Sequence, residues 1–318
     1  MSTLKIPDVV PSPTQDAERL RKAFQGLGTD EAAVIWVLGH RNVSQRKKIR
    51  EIYQQLYKES LLDRLKSELS GDFEKAVILW TQDPSERDAR LANKALKAKK
   101  ISTKQLRVIV EIACATPPTY LQEVRSTYCS LFDSSIEEHI ASAVSSPLRK
   151  LLVGLVSSFR FNKEVVDPYL AMEEAEKLHE AIKTKKLDDD DLVFVLSTRS
   201  LYQIRATFES YKQKFGSSID QDLTSCGDGD LQSLLKVVVL SIESPTKYFA
   251  EVIRKSIIGI GTDEDALTRT IVARSEIDMI DIKEEYLNTF KTSIEQAVTG
   301  DTSGDYQSFL MTLLGAKM

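Results

Sequence analysis

No apolar run in this 318-residue chain approaches the roughly 18 residues needed to cross a bilayer, so no membrane span is expected. The opening stretch, MSTLKIPDVVPSPTQD, lacks the apolar core of a secretory leader. Cysteine is scarce. Cys114, Cys129 and Cys226 are odd in number and far apart, which excludes a disulfide framework and suits buried thiols in a reducing compartment. A net charge of −4 denies the chain an overall basic field. Nucleic acid is therefore not expected as a partner, and affinity for an anionic surface must come from a local device. No GxxxxGK[ST] stretch occurs, which excludes an ordinary P-loop. The 13 glycines and 9 prolines gather at boundaries and loops, leaving long runs free for helix.

What the chain has is repetition. An aromatic pair four apart returns as Tyr53/Tyr57, Tyr128/Phe132, Tyr211/Phe215 and Tyr286/Phe290, with steps of 75, 83 and 75 between first members. Phe73, Leu148, Leu231 and Tyr306, each opening an apolar run, keep the same steps. The pattern predicts a tail over 1–15 and four copies of one unit over 16–83, 84–160, 161–242 and 243–318. The longer middle step predicts a linker at Phe161–Pro168, polar and closed by proline. Apolar residues at Leu106, Ile109, Val110 and Ala113 follow helical spacing. Interleaved charges suit solvated helix faces. Units of this kind bury their stripes against one another, so the expectation is an all-α array, with copy one paired to four and two to three.

A second phrase marks the ends of the array. Gly26-Leu27-Gly28-Thr29-Asp30-Glu31 returns as Gly259-Ile260-Gly261-Thr262-Asp263-Glu264. An acid stands 42 positions after the first glycine in both, Glu68 and Asp301. Ca²⁺ takes six to eight oxygens and tolerates irregular geometry, and glycine lets a loop turn carbonyls inward. The carbonyls of Phe24, Gly26 and Gly28 with the carboxylate of Glu68 would supply five oxygens. The carbonyls of Ile257, Gly259 and Gly261 with Asp301 repeat the set. One formal charge per site predicts weak intrinsic affinity, on the order of 10⁻⁴ M, that an anionic lipid phosphate would tighten. Leu27 and Ile260, at the loop tips, are the expected membrane-inserting residues, each contributing about 1–2 kcal/mol at an interface. Both loops also read as helix starts, with Thr29 and Thr262 as N-caps. In the middle copies the loop positions hold Ile101–Lys104 and Thr184–Leu187, and Ala143 and Cys226 replace the acids. Glycines and acid are lost together, leaving scaffold or lipid contact through Lys185 and Lys186.

These residues resemble the annexin family over nearly the whole chain, from about Asp16 to Leu314, and the GxGTDE loop with its distant acid is similar to the family's type II calcium site. The resemblance implies a curved disc of four five-helix repeats with calcium loops on the convex face. It also implies calcium-dependent, reversible binding to anionic phospholipid membranes by a cytoplasmic protein that becomes peripheral when calcium rises. It carries the ligand roles onto Phe24, Gly26, Gly28, Glu68, Ile257, Gly259, Gly261 and Asp301, with accessory calcium sites at Thr29/Glu31 and Thr262/Glu264. Loops kept only in units one and four, and the stretch Leu38–Asn42, resemble the plant branch. Two features depart from it: Leu27 stands where tryptophan is common, and Ser241 stands where a second cysteine would join Cys114.

Catalysis is not expected. His40 sits where a peroxidase role has been proposed in the family, but a lone histidine on a helix reads as a packing or capping residue, and His139 and His179 have less to offer. Asp301-Thr302-Ser303-Gly304 matches a DxxG fragment that overlaps the calcium acid. The family's actin tripeptide, Ile-Arg-Ile, is absent and Ile204-Arg205-Ala206 does not replace it, so actin stays open, as does self-association on membranes. Asp188–Asp191 reads as a helix start complementing the dipole. The alternatives are an ion-conducting or channel-modulating protein, or a weak peroxidase or nucleotide hydrolase.

Overall fold

The structure, a computed structural model, describes residues 1–26, 28–259 and 261–316. Twenty helices, with no strand among the described residues, follow one another in sets of five. The first set is α1 (Pro13–Ala23), α2 (Glu31–Gly39), α3 (Val43–Tyr57), α4 (Leu61–Glu68) and α5 (Gly71–Thr81). The second is α6 (Pro84–Leu96), α7 (Thr103–Cys114), α8 (Pro118–Phe132), α9 (Ile136–Ala143) and α10 (Leu148–Ser157). The third is α11 (Pro168–Lys183), α12 (Asp190–Thr198), α13 (Leu201–Phe215), α14 (Ile219–Thr224) and α15 (Asp230–Glu243). The last is α16 (Pro245–Ile257), α17 (Glu264–Arg274), α18 (Met279–Phe290), α19 (Ile294–Asp301) and α20 (Gly304–Leu313).

Local chemistry sets the boundaries. Capping boxes open α1 (Ser12/Gln15), α3 (Asn42/Gln45), α9 (Ser135/Glu138) and α19 (Ser293/Gln296), satisfying amides that a helix start leaves without partners. The box at Ser12 starts α1 at Pro13, inside the stretch read as tail. The third helix of each set ends on a left-handed residue: Lys58, Asp133, Gly216 and Lys291. Those caps keep the steps of 75, 83 and 75 seen in the tyrosines. The tyrosines themselves, Tyr53, Tyr128, Tyr211 and Tyr286, are completely buried. Each meets its aromatic partner edge-on at 4.8–5.0 Å between ring centres. The repeat marker is thus a core element. Residues 158–167, spanning most of the expected linker, carry no helix, and Asp167 caps α11 beyond them. Asp189 caps α12, its carboxylate accepting from the Asp191 and Leu192 amides, as the acidic run predicted.

Two compact units result: residues 1–84 with 246–318, and residues 85–245. The first and last quarters of the chain therefore share a core, as do the middle two. In the first unit α2 and α5 meet α17 and α20. A Cβ on Gly39 would stand 2.8 Å from Cγ2 of the buried Thr312, so the close approach of α2 and α20 requires glycine. Phe73 and Phe309 meet at 6.0 Å between rings. The buried Asp16 carboxylate grips Arg41 at 2.6 and 2.8 Å, tying α1 to the end of α2. Arg46 lies over the Trp80 ring at 3.7 Å and reaches Glu276 at 2.8 Å. Thr3 docks the N-terminal segment on this unit, its amide donating to the Ser275 carbonyl at 2.9 Å and its hydroxyl to the Leu313 carbonyl at 2.7 Å. In the second unit α7 packs on α15 and α10 on α12. The Arg160 guanidinium donates to the Leu196 and Arg199 carbonyls at 2.5 and 2.7 Å, closing the end of α12. No helix among the described residues is long and apolar enough to cross a membrane.

Replacing Gly39 by alanine tests the α2–α20 contact. Alanine in a helix would normally gain up to about 1 kcal/mol, whereas the clash with Thr312 should cost about 1–3 kcal/mol. Urea unfolding of Gly39→Ala should show lower stability. Equal or greater stability would mean that the helices have room to part.

Candidate metal centres

Both GxG loops leave a helix end and close on the start of the next helix. Phe24 is the C-cap of α1, and the Asp30 amide returns to the Ala23 carbonyl at 2.9 Å. The Asp263 amide returns to the Ser256 carbonyl at 2.7 Å in the same way. Gly26 and Gly28 have φ of +118° and +90°, and Gly259 and Gly261 have +129° and +88°. A Cβ at any of the four would meet nothing within 4 Å, so it is the φ and not crowding that calls for glycine. Leu27 and Ile260, the expected membrane-inserting tips, lie outside the described residues.

The helix caps differ from the sequence expectation. The caps are Asp30 and Asp263, whose carboxylates accept from the Ala33 amide at 2.9 Å and the Ala266 amide at 3.3 Å. Thr29 and Thr262 are drawn across the loops instead. Thr29 Oγ1 donates to Glu68 Oε2 at 2.9 Å, and Thr262 Oγ1 donates to Asp301 Oδ2 at 2.5 Å. An ionised carboxylate is a stronger acceptor than water, and the aspartate is free to cap because the threonine is engaged elsewhere. Each loop is thereby fastened to the acid 42 positions on. Glu68 ends α4 and Asp301 ends α19.

One nitrogen of Arg64 shows what the first loop gathers. Its Nη2 lies 2.8 Å from Glu68 Oε1 and donates to the Phe24 carbonyl at 3.2 Å. Two oxygens read from sequence as calcium ligands therefore face one cationic atom. Arg64 was not among the residues singled out from sequence. Its position four before Glu68 on a helix was the available signal. In the third set the corresponding atoms also meet, with different chemistry: the Cys226 thiol, at the position of Glu68, donates to the carbonyl of Ile182, at the position of Phe24, at 3.4 Å. The backbone amides of Lys186 and Lys185 donate to the carbonyls of Ala181 and Ile182, as the Asp30 amide does to Ala23 in the first loop. A thiol whose pKa burial raises has no charge to offer a cation.

Glu31 and Glu264, the first residues of α2 and α17, were expected in accessory sites. They line a cavity of about 420 Å³ in the first unit together with Glu68, Asp301, Asp72 and Asp305. Asp72 and Asp305, each four beyond its loop's acid, were missed, although they repeat at the same interval as the loops. Burial, with Asp72, Glu264 and Asp265 nearby, pushes the Tyr306 phenol up to about 12, and its oxygen pairs with Thr268 Oγ1 at 2.7 Å. Among the described residues no group of three or more His, Cys, Asp or Glu side chains is arranged to hold a metal ion. A cation at either loop would have to rely on backbone carbonyls beside a single acid. The donor chemistry fits a hard, oxygen-seeking cation such as Ca²⁺.

The three histidines lie against aromatic neighbours. His40, 3% exposed, lies against Trp36 with the rings tilted and 4.5 Å between centres, with Nδ1 3.1 Å from the Trp36 carbonyl. His139 and His179 sit against the hydroxyls of Tyr128 and Tyr211 at 2.6 and 3.1 Å. Cys114 is buried, and so is Ser241. Burial pushes the Cys114 thiol up to about 11 despite the neighbouring Arg160 guanidinium.

An all-helical protein of five-helix sets, with a glycine loop fastened to a distant acid at two matching places, is the class that fold and geometry define. The sequence profile of the family described as "Annexin" matches residues 15–80, 173–238 and 248–313. The chain is 55% identical to Annexin D3 of Arabidopsis thaliana over the whole length of both chains. Its structure is similar to that of annexin III, with a TM-score of 0.91 at 30% identity, covering 99% of this chain and 97% of the other. It is also similar to the calcium-bound annexin (Sm)1, with a TM-score of 0.85 at 28% identity, covering 99% and 93%. The chain belongs to the annexin family.

Thiol labelling should separate the cysteines. Cys129 is exposed, whereas at pH 8 the Cys114 thiolate fraction is about one in a thousand by its raised pKa. Native maleimide labelling followed by peptide mass spectrometry should find Cys129 modified well ahead of Cys114, and Cys114 fully modified only after denaturation. Equal native rates would contradict the burial described.

Proposed function

We propose that this protein binds anionic phospholipid surfaces in a calcium-dependent, reversible manner through its first and fourth loops. The reading rests on annexin membership, which implies this activity, and on the calcium-bound state of the similar annexin (Sm)1. The observation that carries it furthest is the convergence of the Phe24 carbonyl and the Glu68 carboxylate on one cationic nitrogen. It supports a ligand set of Phe24, Gly26 and Gly28 carbonyls with Glu68, and by the matching loop geometry Ile257, Gly259 and Gly261 with Asp301.

Calcium, when bound, supplies a concentrated positive charge with six to eight oxygen positions to fill. The chain's part is to hold five of those oxygens in place. Left-handed glycines turn the loop backbone, the Thr29 and Thr262 hydroxyls orient the distant acids, and the Asp30 and Asp263 caps fix each loop to a helix start. The remaining positions are left to water or to a lipid phosphate, which makes binding depend on the anionic surface. Thr29/Glu31 and Thr262/Glu264 are the proposed accessory positions, and Leu27 and Ile260 the proposed apolar contacts at the interface. The protein is accordingly a peripheral membrane binder rather than an enzyme, and no observation favours the peroxidase or nucleotide readings over packing roles for the histidines.

Co-sedimentation with phosphatidylserine vesicles tests this. Wild-type protein should pellet with calcium and stay in solution without it, and a Glu68→Gln/Asp301→Asn double variant should lose the calcium-dependent fraction. Undiminished pelleting of the double variant would remove both loops from the mechanism.

A further inference from the structure

The two loops share a backbone but not a neighbour. In the first, Glu68 has both carboxylate oxygens engaged: Oε2 by Thr29 at 2.9 Å and Oε1 by Arg64 at 2.8 Å. The same Arg64 nitrogen also takes the Phe24 carbonyl at 3.2 Å. The matching position before Asp301 is Ala297, which has no charge to place there. Sequence likeness between the loops therefore hides an electrostatic difference. A single positive charge already stands among the ligands of loop one, and among the described residues none stands on the acid of loop four.

We propose that Arg64 is an internal competitor for the first loop: its guanidinium fills the ligand set when calcium is scarce, and calcium binds there only by displacing it. The proposal rests on reading the two loops as calcium sites. Several features make displacement feasible. The Arg64 side chain is 30% exposed, so it has water to move into. It is held mainly through one end of the guanidinium, since its Nε has no hydrogen-bond partner among the described residues. Its Cζ lies 5.9 Å from the Phe24 ring centre, at the outer reach of a cation–π contact. The ion pair is strong enough to be formed and weak enough to be exchanged, as expected for a partly exposed arginine–carboxylate contact. A divalent cation offers the same oxygens twice the charge.

The consequence is an order of filling. Loop four, whose acid meets a neutral threonine hydroxyl and no cation among the described residues, takes calcium first. Loop one follows at higher calcium, after an exchange of one cation for another. One protein thus has a graded response to calcium built from two nearly identical phrases. The sequence contrast that sets the grade is arginine against alanine four residues before the acid.

The test isolates loop one in an Asp301→Asn background. The calcium concentration for half-maximal binding to phosphatidylserine vesicles should fall about 3- to 30-fold when Arg64→Ala is added, the range expected for removing one partly exposed charge-assisted contact and one repulsive charge. A second readout uses no lipid: millimolar calcium should raise the thermal midpoint of the Arg64→Ala, Asp301→Asn protein more than that of Asp301→Asn alone. Arg64→Gln, which keeps a side chain of similar length without the charge, should lower the midpoint as well, so a perturbation of α4 by alanine cannot account for the effect. Adding Glu68→Gln should abolish the response in all of them. An unmoved or raised calcium midpoint in both Arg64 variants, with Glu68→Gln still abolishing binding, overturns the proposal and leaves the site reading intact. A response that Glu68→Gln does not alter overturns the site reading and the proposal with it.

Discussion

The close approach of α2 to α20 is the constraint on which the site geometry depends. Gly39 gives up its side chain so that Thr312 can fit against the helix backbone, and Phe73 meets Phe309 beside it. This contact joins residues separated by most of the chain. Because α2 and α17 each begin at a glycine loop, and α5 and α20 each follow an acid, packing these four helices into one core also assembles both loops in a single unit. The buried Asp16–Arg41 pair then fixes α1, and with it the start of the first loop. Breaking such a pair is costly because it strands a charge away from water.

Within that frame a single backbone arrangement serves different chemistries. A carbonyl at the end of a set's first helix and a residue at or just beyond the end of its fourth face one another in the first and third sets. In the first the pair is Phe24 with Glu68, and a guanidinium joins them; in the third it is Ile182 with Cys226, and a thiol proton joins them. Each of these loops closes by a backbone amide returning to the end of the preceding helix, from Asp30 to Ala23 in the first set and from Lys186 to Ala181 in the third. The scaffold supplies position, and a few side chains decide whether the position holds charge.

The carboxylates around the cavity belong to the same logic. Glu31, Glu68, Asp72, Glu264, Asp301 and Asp305 face one space, and burial, with Asp72, Glu264 and Asp265 adding to it, holds the Tyr306 phenol above its usual range. Such a field favours cations near the loops while the chain as a whole carries only a small negative charge.

By itself the sequence determined the helical class, the repeat, the linker and the two loop-and-acid pairs. These follow from local rules: helical spacing of apolar residues, glycine where φ must be positive, and a fixed interval that the tyrosines and the left-handed caps both keep. The Asp188–Asp191 run was legible as a helix start for the same reason. The tertiary structure decided which side chains each acid meets. Sequence suggested Thr29 and Thr262 as caps, but the fold puts an acid within reach of each hydroxyl and leaves capping to Asp30 and Asp263. Arg64 was not singled out along the chain; only when α4 lies beside the end of α1 does its guanidinium find the Phe24 carbonyl. Local preference is written along the chain, whereas an ion pair or a shared cavity depends on which distant segments burial brings together, and that is settled by how whole helices fit.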